Sequence, residues 1–317
     1  MMVSVKYKTI NGKKYLYAEN SFRLPNGKIK KISKLIQKEE DKKSKEIKDY
    51  FLKKQIEAYQ DYALKAYKSD SVLTEEQIKK LESIKIEYGR IIKSFTKNQI
   101  KDILDRFTVN FTYESNAIEG NSLTLKDVTL ILGENVVPKN KDLREVYETR
   151  NTREAHELLF RGKIKINIKD IINAHSIIVK DTEVQLGFKK IPNYLAMRNL
   201  KTTPPEKVEE EMKKLLSWYE SNKYKIHPLR LAAEFHARFE RIHPFDDGNG
   251  RTGRILLNAI LLEHNYPPLI IRKTARIAYF SSLEAFDKRH KDKLERFLLD
   301  KIKDTFEKFF KVYVKYL

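Results

Sequence analysis

The chain has 317 residues, with 64 Lys and Arg against 44 Asp and Glu and a formal charge of +20. It contains no cysteine, which excludes disulfides and thiolate metal sites. No apolar run approaches the ~20 residues of a membrane helix, and the segment from Met1 to Lys6 lacks a signal peptide's apolar core. A soluble, cytoplasmic protein of one large or two smaller domains is therefore expected.

Three strands are expected first, over Val3 to Ile10, Lys13 to Leu24 and Lys28 to Ile36. Asn11-Gly12 and Asn26-Gly27 supply the turn chemistry that joins them into an antiparallel meander. Such a sheet needs a helix to pack on. A charged helix is expected from about Glu39 to Lys68, and another after Thr74, a good N-cap with Glu76 and Gln77 close behind. From 98 onward the pattern is helical: about 98–120, a short helix from Thr124 to Leu132, then 141–160, 168–180, 205–222, 227–242, 251–265, 275–289 and 291–315. The segment 183–204 interrupts it. Val184 to Pro192 is too irregular for a helix, Tyr194 to Arg198 reads as extended, and Thr203-Pro204-Pro205 closes it. The fold class is thus mainly α, preceded by a small antiparallel β-meander. Residues 1–36 form the meander, 37–97 a helical N-terminal region, and 98–317 the core.

The run from His243 to Arg254 carries the chemistry. Gly248, Asn249 and Gly250 lead into a helix, where free backbone N–H groups and the helix dipole cradle anions. Arg251 and Arg254 lie three apart and share a face of the first turn. Cations there oppose the dipole, which makes sense if an anion sits between them and the amides. Asp246 or Asp247 suits Mg²⁺, which takes one or two carboxylates beside phosphate oxygens. His243 can accept a proton near neutral pH.

Residues 243–254 resemble the Fic family motif, His-x-Phe-x-(Asp/Glu)-Gly-Asn-Gly-Arg-x-x-Arg, at every fixed position. The resemblance extends through Ala232, Ala233, His236 and Phe239 upstream and through Asn258 and Tyr266-Pro267-Pro268 downstream, covering about 100–317. It implies a Fic-type helical bundle whose flap hairpin falls in 183–204, with Gly187-Phe188-Lys189 at its opening, and a transferase moving AMP from ATP to a Ser, Thr or Tyr hydroxyl. His243 would deprotonate that hydroxyl and Asp247 would bind Mg²⁺ (or Mn²⁺). Gly248, Asn249 and Gly250 would hold the α- and β-phosphates, Arg251 would contact phosphate oxygens, and Arg254 would meet the γ-phosphate. Gly250 stands where phosphate-transferring relatives carry Lys, which argues against that reaction.

Upstream, Ser115-Asn116-Ala117-Ile118-Glu119-Gly120 closes the helix that starts near Asn98. Gly120 suits the left-handed residue after a helix, and Glu119 sits where the dipole disfavours a carboxylate. The segment resembles the family's inhibitory helix, Ser/Thr-x-x-x-Glu-(Gly/Asn). This implies that Glu119 pairs with Arg254, blocks the γ-phosphate and makes the chain its own inhibitor. In some relatives this Glu also serves removal of AMP. For the base, the resemblance points to Tyr279 and Phe280 and, by a gap-free count, to Asp287. An ionised Asp only accepts hydrogen bonds, so it suits the adenine amine or two donors of guanine, and GTP remains an alternative to ATP.

The expected partners are ATP and a target protein with an accessible hydroxyl, the chain itself included. A homodimer is left open. No membrane is expected. Nucleic acid is not favoured, because the lysines are scattered and no stretch alternates Arg with aromatics. A basic nucleic-acid-associated regulator is the alternative from another class.

Overall fold

The computed structural model describes residues 3–195 and 200–315. Two compact units divide the chain, Met1–Ile86 and Glu87–Leu317. Among the described residues no helix is long and apolar enough to cross a membrane.

In the first unit, β1 (Ser4–Ile10), β2 (Lys13–Arg23) and β3 (Ile29–Ile36) form an antiparallel sheet in the order β1-β2-β3. Asn11 (φ 48°) and Gly12 (φ 76°) both turn left-handed, as a two-residue hairpin turn of type I′ requires. One sheet face carries Leu16, Ala18 and Ile36. It packs on Ile47 and Phe51 of α1 (Lys45–Ala66), with Val5, Ile32 and Tyr50 at the margin. The sequence predicts one helix from Glu39, but a 3₁₀ turn (Glu39–Lys43) comes first. The reason is local. Asp41 accepts the Gln37 and Lys38 amides at 3.1 Å each, and Ser44 then caps α1 by accepting the Ile47 amide at 3.2 Å. Next, α2 (Glu75–Ser94) starts at Thr74, whose hydroxyl accepts the Gln77 amide at 3.3 Å.

The second unit is helical. Helix α3 (Lys97–Ile118) opens with a Thr96–Gln99 capping box. It closes with Gly120 at φ 105°, the Gly120 amide on the Ala117 carbonyl and the Asn121 amide on the Asn116 carbonyl. That pattern is a Schellman ending, which fixes Glu119 as the C-cap of the helix. There follow α4 (Leu125–Thr129), running into a π-turn (Leu130–Glu134), α5 (Leu143–Phe160) and α6 (Ile168–Ile178). A short hairpin, β4 (Tyr194–Leu195) with β5 (Leu200–Lys201), interrupts the helices. Of the extended segment expected over Tyr194 to Arg198, Ala196, Met197 and Arg198 lie outside the described residues. After it come α7 (Pro205–Asn222), α8 (Pro228–Ile242), α9 (Asn249–Glu263), α10 (Arg276–Asp287) and α11 (Lys291–Thr305), which continues through a π-turn into α12 (Lys311–Lys315).

Helix α9 is the axis of this unit. It packs on α3, α5, α6 and α8, and nearly every residue from Asn249 to Leu261 is buried. A helix apolar all round would suit that place. This one instead buries Asn249, Arg251, Thr252, Arg254 and Asn258. Buried charges need partners, and the partners locate the site.

Candidate active site

Helix α8 stops at His243, whose backbone is left-handed (φ 50°, ψ 63°) while its amide still donates to the Phe239 carbonyl at 2.9 Å. Pro244 explains the break, since the residue before a proline is driven out of the helical region. Phe245 anchors the loop between α8 and α9. It is fully buried and stacks on the His175 ring, with centroids 3.7 Å apart. Asn249 clasps it twice, accepting the Phe245 amide at 2.9 Å and donating to its carbonyl at 2.8 Å. Burial holds His175 neutral, with its pKa down to about 4 despite its bond to the Asp247 backbone, so Nε2–H donates to the Asp247 carbonyl at 3.0 Å. Gly248 turns left-handed at φ 75°, and a Cβ there would stand 2.8 Å from Val179. Because Gly248 is itself the N-cap, α9 begins at Asn249 rather than at the expected Arg251. Asn249 and Gly250 therefore belong to the first turn, and no side chain caps it.

Arg254 is buried, and α3 holds it. Its Nε donates to Ser115 Oγ and its Nη2 to the Ser115 carbonyl, each at 2.9 Å, while Nη2 meets Glu119 Oε1 at 2.7 Å. Burial alone would depress the guanidinium, but the Glu119 and Glu240 carboxylates raise its pKa on balance. The Glu119 carboxylate also covers the start of α9: a Cβ on Gly250 would collide with it. Ser115, Glu119 and Gly120 thus converge on the helix start, Ser115 and Glu119 through Arg254 and Gly120 by ending α3.

Arg251 faces the other way. Its Nη1 lies 3.2 Å from Glu148 and its Nη2 3.5 Å from Asp247. Arg144 of α5 binds the same Asp247 oxygen at 2.6 Å and reaches Glu148 at 3.4 Å. The other Asp247 oxygen accepts the Gly248 amide at 2.6 Å. Asp247 is thus a half-exposed carboxylate at the mouth of the amide cradle. One carboxylate beside a phosphate site, with the remaining positions open to water, is a donor set that suits Mg²⁺; Arg144 would have to share or release it. His243 Nδ1 stands 4.0 Å from Glu240 Oε2. Gly253 makes room for Glu240 and His236, since a Cβ there would lie 2.6 Å from the Glu240 carboxylate.

Helix α10 carries all three residues expected to contact the base, and turns them differently. Tyr279 points inward, its hydroxyl 2.7 Å from His236 Nε2, and burial pushes its pKa up so that it stays protonated. Phe280 is half-buried, with the Arg276 guanidinium over its ring at 5.3 Å. Asp287 comes seven residues later, two turns along the same face. Arg276 also donates to the Ile118 carbonyl at 2.7 Å, which ties α10 to the end of α3.

Three residues at the site were not anticipated from sequence, Arg144, Glu148 and Glu114, and neither were the contacts of Lys189, which was expected at the flap opening. Glu114 accepts the Lys273 amide at 2.7 Å. Lys189 is buried at the foot of the β4–β5 hairpin. Its Nζ donates to Asn193 Oδ1 and Thr202 Oγ1 at 2.7 Å each, and its amide donates to the Pro244 carbonyl at 2.9 Å. Asn193 reaches the Phe245 carbonyl at 3.0 Å. Both hairpin strands are thereby moored to the His243 loop. Sequence carried one faint sign of this, a lysine directly after Gly187-Phe188.

A histidine at a broken helix end, next to a helix start that carries two buried arginines, is a geometry suited to handling phosphate. Residues 165–261 match the Fic/DOC family. Among relatives, the chain is 34% identical over 176 residues to the protein adenylyltransferase Fic of Nematostella vectensis, covering 54% of this chain and 41% of that one. It is 31% identical over 179 residues to protein adenylyltransferase fic-1 of Caenorhabditis elegans, covering 55% and 35%. The chain thus spans well under half the length of these curated relatives. Among solved structures, a Fic-domain signaling protein from Bacteroides thetaiotaomicron superposes with a TM-score of 0.65 at 25% identity, over 74% of this chain and 97% of that one. Fic-1 of Caenorhabditis elegans shares the fold, with a TM-score of 0.66.

Proposed function

We propose that the chain is a Mg²⁺-dependent protein adenylyltransferase, moving AMP from ATP to a protein hydroxyl, and that Glu119 holds it inactive. The observation that carries this reading is the Glu119 carboxylate, clamped on Arg254 and lying over Gly250. An acid in that place occupies ground that a triphosphate's terminal phosphate needs.

The chemistry derives from the residues around it. The amides of Asn249 and Gly250, uncapped at the start of α9, receive phosphate oxygens. Arg251 and Arg254 neutralise the developing charge. Mg²⁺, held by Asp247, would supply further charge neutralisation on the phosphates. The target hydroxyl attacks the α-phosphorus, the bond to the β-phosphate oxygen breaks, and pyrophosphate leaves. His243 takes the hydroxyl proton, and Glu240 at 4.0 Å stabilises the imidazolium that results. The β4–β5 hairpin, fixed to the same loop by Lys189, offers strand edges to a target backbone. ATP is the proposed donor, the residue class at Asp287 keeping GTP as the competing nucleotide, and the modified protein includes the chain itself.

The test incubates wild type, Glu119→Gly and Glu119→Gly/His243→Ala with Mg²⁺ and each labelled nucleoside triphosphate. Self-labelling by ATP in Glu119→Gly, absent from Glu119→Gly/His243→Ala, is the expected result. Labelling indifferent to His243 would remove the base assignment.

A further inference from the structure

The meander turns its other face to solvent, and strand register decides what stands there. Residues opposite one another in paired strands share a face. Ser4, Glu19 and Ser33 form one row, and Lys6, Tyr17 and Leu35 the next. Lys8 lies opposite Tyr15, Ile10 opposite Lys13, Lys31 opposite Ser21 and Ile29 opposite Arg23. All of these belong to the face turned away from Leu16, Ala18 and Ile36, which pack on α1. Lys6, Lys8, Lys13, Arg23 and Lys31 therefore converge on one surface with a single acid, Glu19.

That acid is not a solvated counter-charge. Glu19 is only 2% exposed, bound by Lys8 at 3.0 Å and Lys31 at 2.7 Å. These two lysines hold its carboxyl down to about 2. Lys8 also donates to Ser33 Oγ at 2.9 Å and lies 4.5 Å over the Tyr17 ring. The pair of ammoniums is thus fixed in place by an internal carboxylate, while Lys6, Lys13 and Arg23 remain exposed around it. Linear spacing concealed this grouping, because its members come from three strands.

We infer that this sheet face binds double-stranded DNA, laying its strands in the major groove. Charge complementarity argues for a polyanion, and exposed lysines around a preorganised basic centre suit phosphates. Serine and tyrosine hydroxyls between the cations suit phosphate and base edges. Size chooses the polyanion. Two adjacent strands, ~4.8 Å apart, make the two-stranded ribbon that a B-form major groove about 12 Å wide admits, and the third strand lies along the groove's edge. The deep, narrow major groove of A-form RNA does not admit it.

The test measures fluorescence anisotropy of a labelled 20-base-pair duplex with the full chain, without nucleotide, across a salt series. Lys6→Ala/Lys13→Ala/Arg23→Ala leaves the Glu19 pairs intact. It should weaken binding at least tenfold and make the salt slope shallower by about two to three, near 0.9 for each phosphate no longer neutralised. Lys163→Ala/Lys165→Ala/Lys169→Ala removes the same charge from the second unit and should leave affinity within twofold. Unlabelled DNA should displace the probe where duplex RNA and phosphatidylserine vesicles do not. Equal loss in both variants would reduce the effect to net charge and overturn the inference. So would displacement by RNA or vesicles at matching concentration, or no binding at low salt. Should the triple variant unfold, Lys13→Glu alone, at an exposed hairpin corner, carries the same comparison.

Discussion

Replacing Glu119 by Gly should raise activity and lower stability together. Arg254 makes three contacts to α3, two to Ser115 and one to Glu119. The substitution removes only the last. A hydrogen bond between charged groups contributes roughly 1.5–3 kcal/mol. The Glu119 side chain is 35% exposed, so screening places its share near the lower end, at about 2 kcal/mol. At 1.4 kcal/mol per decade, removing it should raise AMP incorporation on the order of 30-fold. The same change leaves the buried Arg254 charge without its carboxylate. For a domain of this size about 2 kcal/mol is a fall of ~4–8 °C in Tm. ATP should then reverse the loss, because its phosphates supply the missing anion: at 100 times its Kd it restores roughly 2.7 kcal/mol. Labelled-ATP incorporation and a thermal melt with and without MgATP measure both sides. Incorporation no greater than wild type, or an unchanged Tm, would refute the reasoning. Glu119→Gln, which keeps a weaker neutral bond, should fall between.

Three further substitutions have defined outcomes. Gly250→Ala should cost less stability in a Glu119→Gly background than in wild type, because its Cβ collides with the Glu119 carboxylate; a coupling of about 0.5–3 kcal/mol in denaturant melts is expected, and additivity would count against the packing. Lys189→Met should loosen the β4–β5 hairpin, speeding proteolytic nicking within 190–203 and raising KM for a protein target more than it lowers kcat; equal nicking would dismiss the mooring role. His156, packed among Phe107, Phe111 and Phe160, has its pKa lowered by burial to about 3. The unfolded chain takes up this proton first, so its contribution is complete above about pH 6.5 and is lost at ~1.4 kcal/mol per pH unit as pH falls toward 3. His156→Leu should flatten that dependence in urea melts tracked by Trp218 fluorescence, and an unchanged slope would disprove it.

The local features of this chain were legible because they are written in adjacent residues. Asn11-Gly12, Thr96, Thr124 and Gly120 announce turns and caps, and the helices start and stop within a few residues of where periodicity places them. The run from His243 to Arg254 was legible for the same reason. The features that escaped are assembled across distance. Arg144 meets Asp247 over 103 positions, and nothing around Arg144 marks it out from other surface arginines on helices. Lys189 could be placed at the flap opening from its neighbours, but its burial and its two side-chain acceptors could not. The basic sheet face was hidden in another way. Alternation sends every second lysine to the opposite side, so a count along the sequence dilutes what register gathers.

The pairing of Glu119 with Arg254 joins two points of one chain, so its equilibrium is unimolecular. The fraction of molecules holding it is independent of protein concentration, and dilution does not release it. A competing ligand faces a carboxylate whose effective concentration is of the order of millimolar or higher for a short tether. The Schellman ending holds Glu119 more narrowly than a flexible linker would, which raises that figure further. Under the proposed function, an isolated phosphate at micromolar levels would be outcompeted, whereas a ligand gripping several amides and both arginines at once would not. Selectivity for a polyphosphate would then come from the tether as much as from the shape of the cradle.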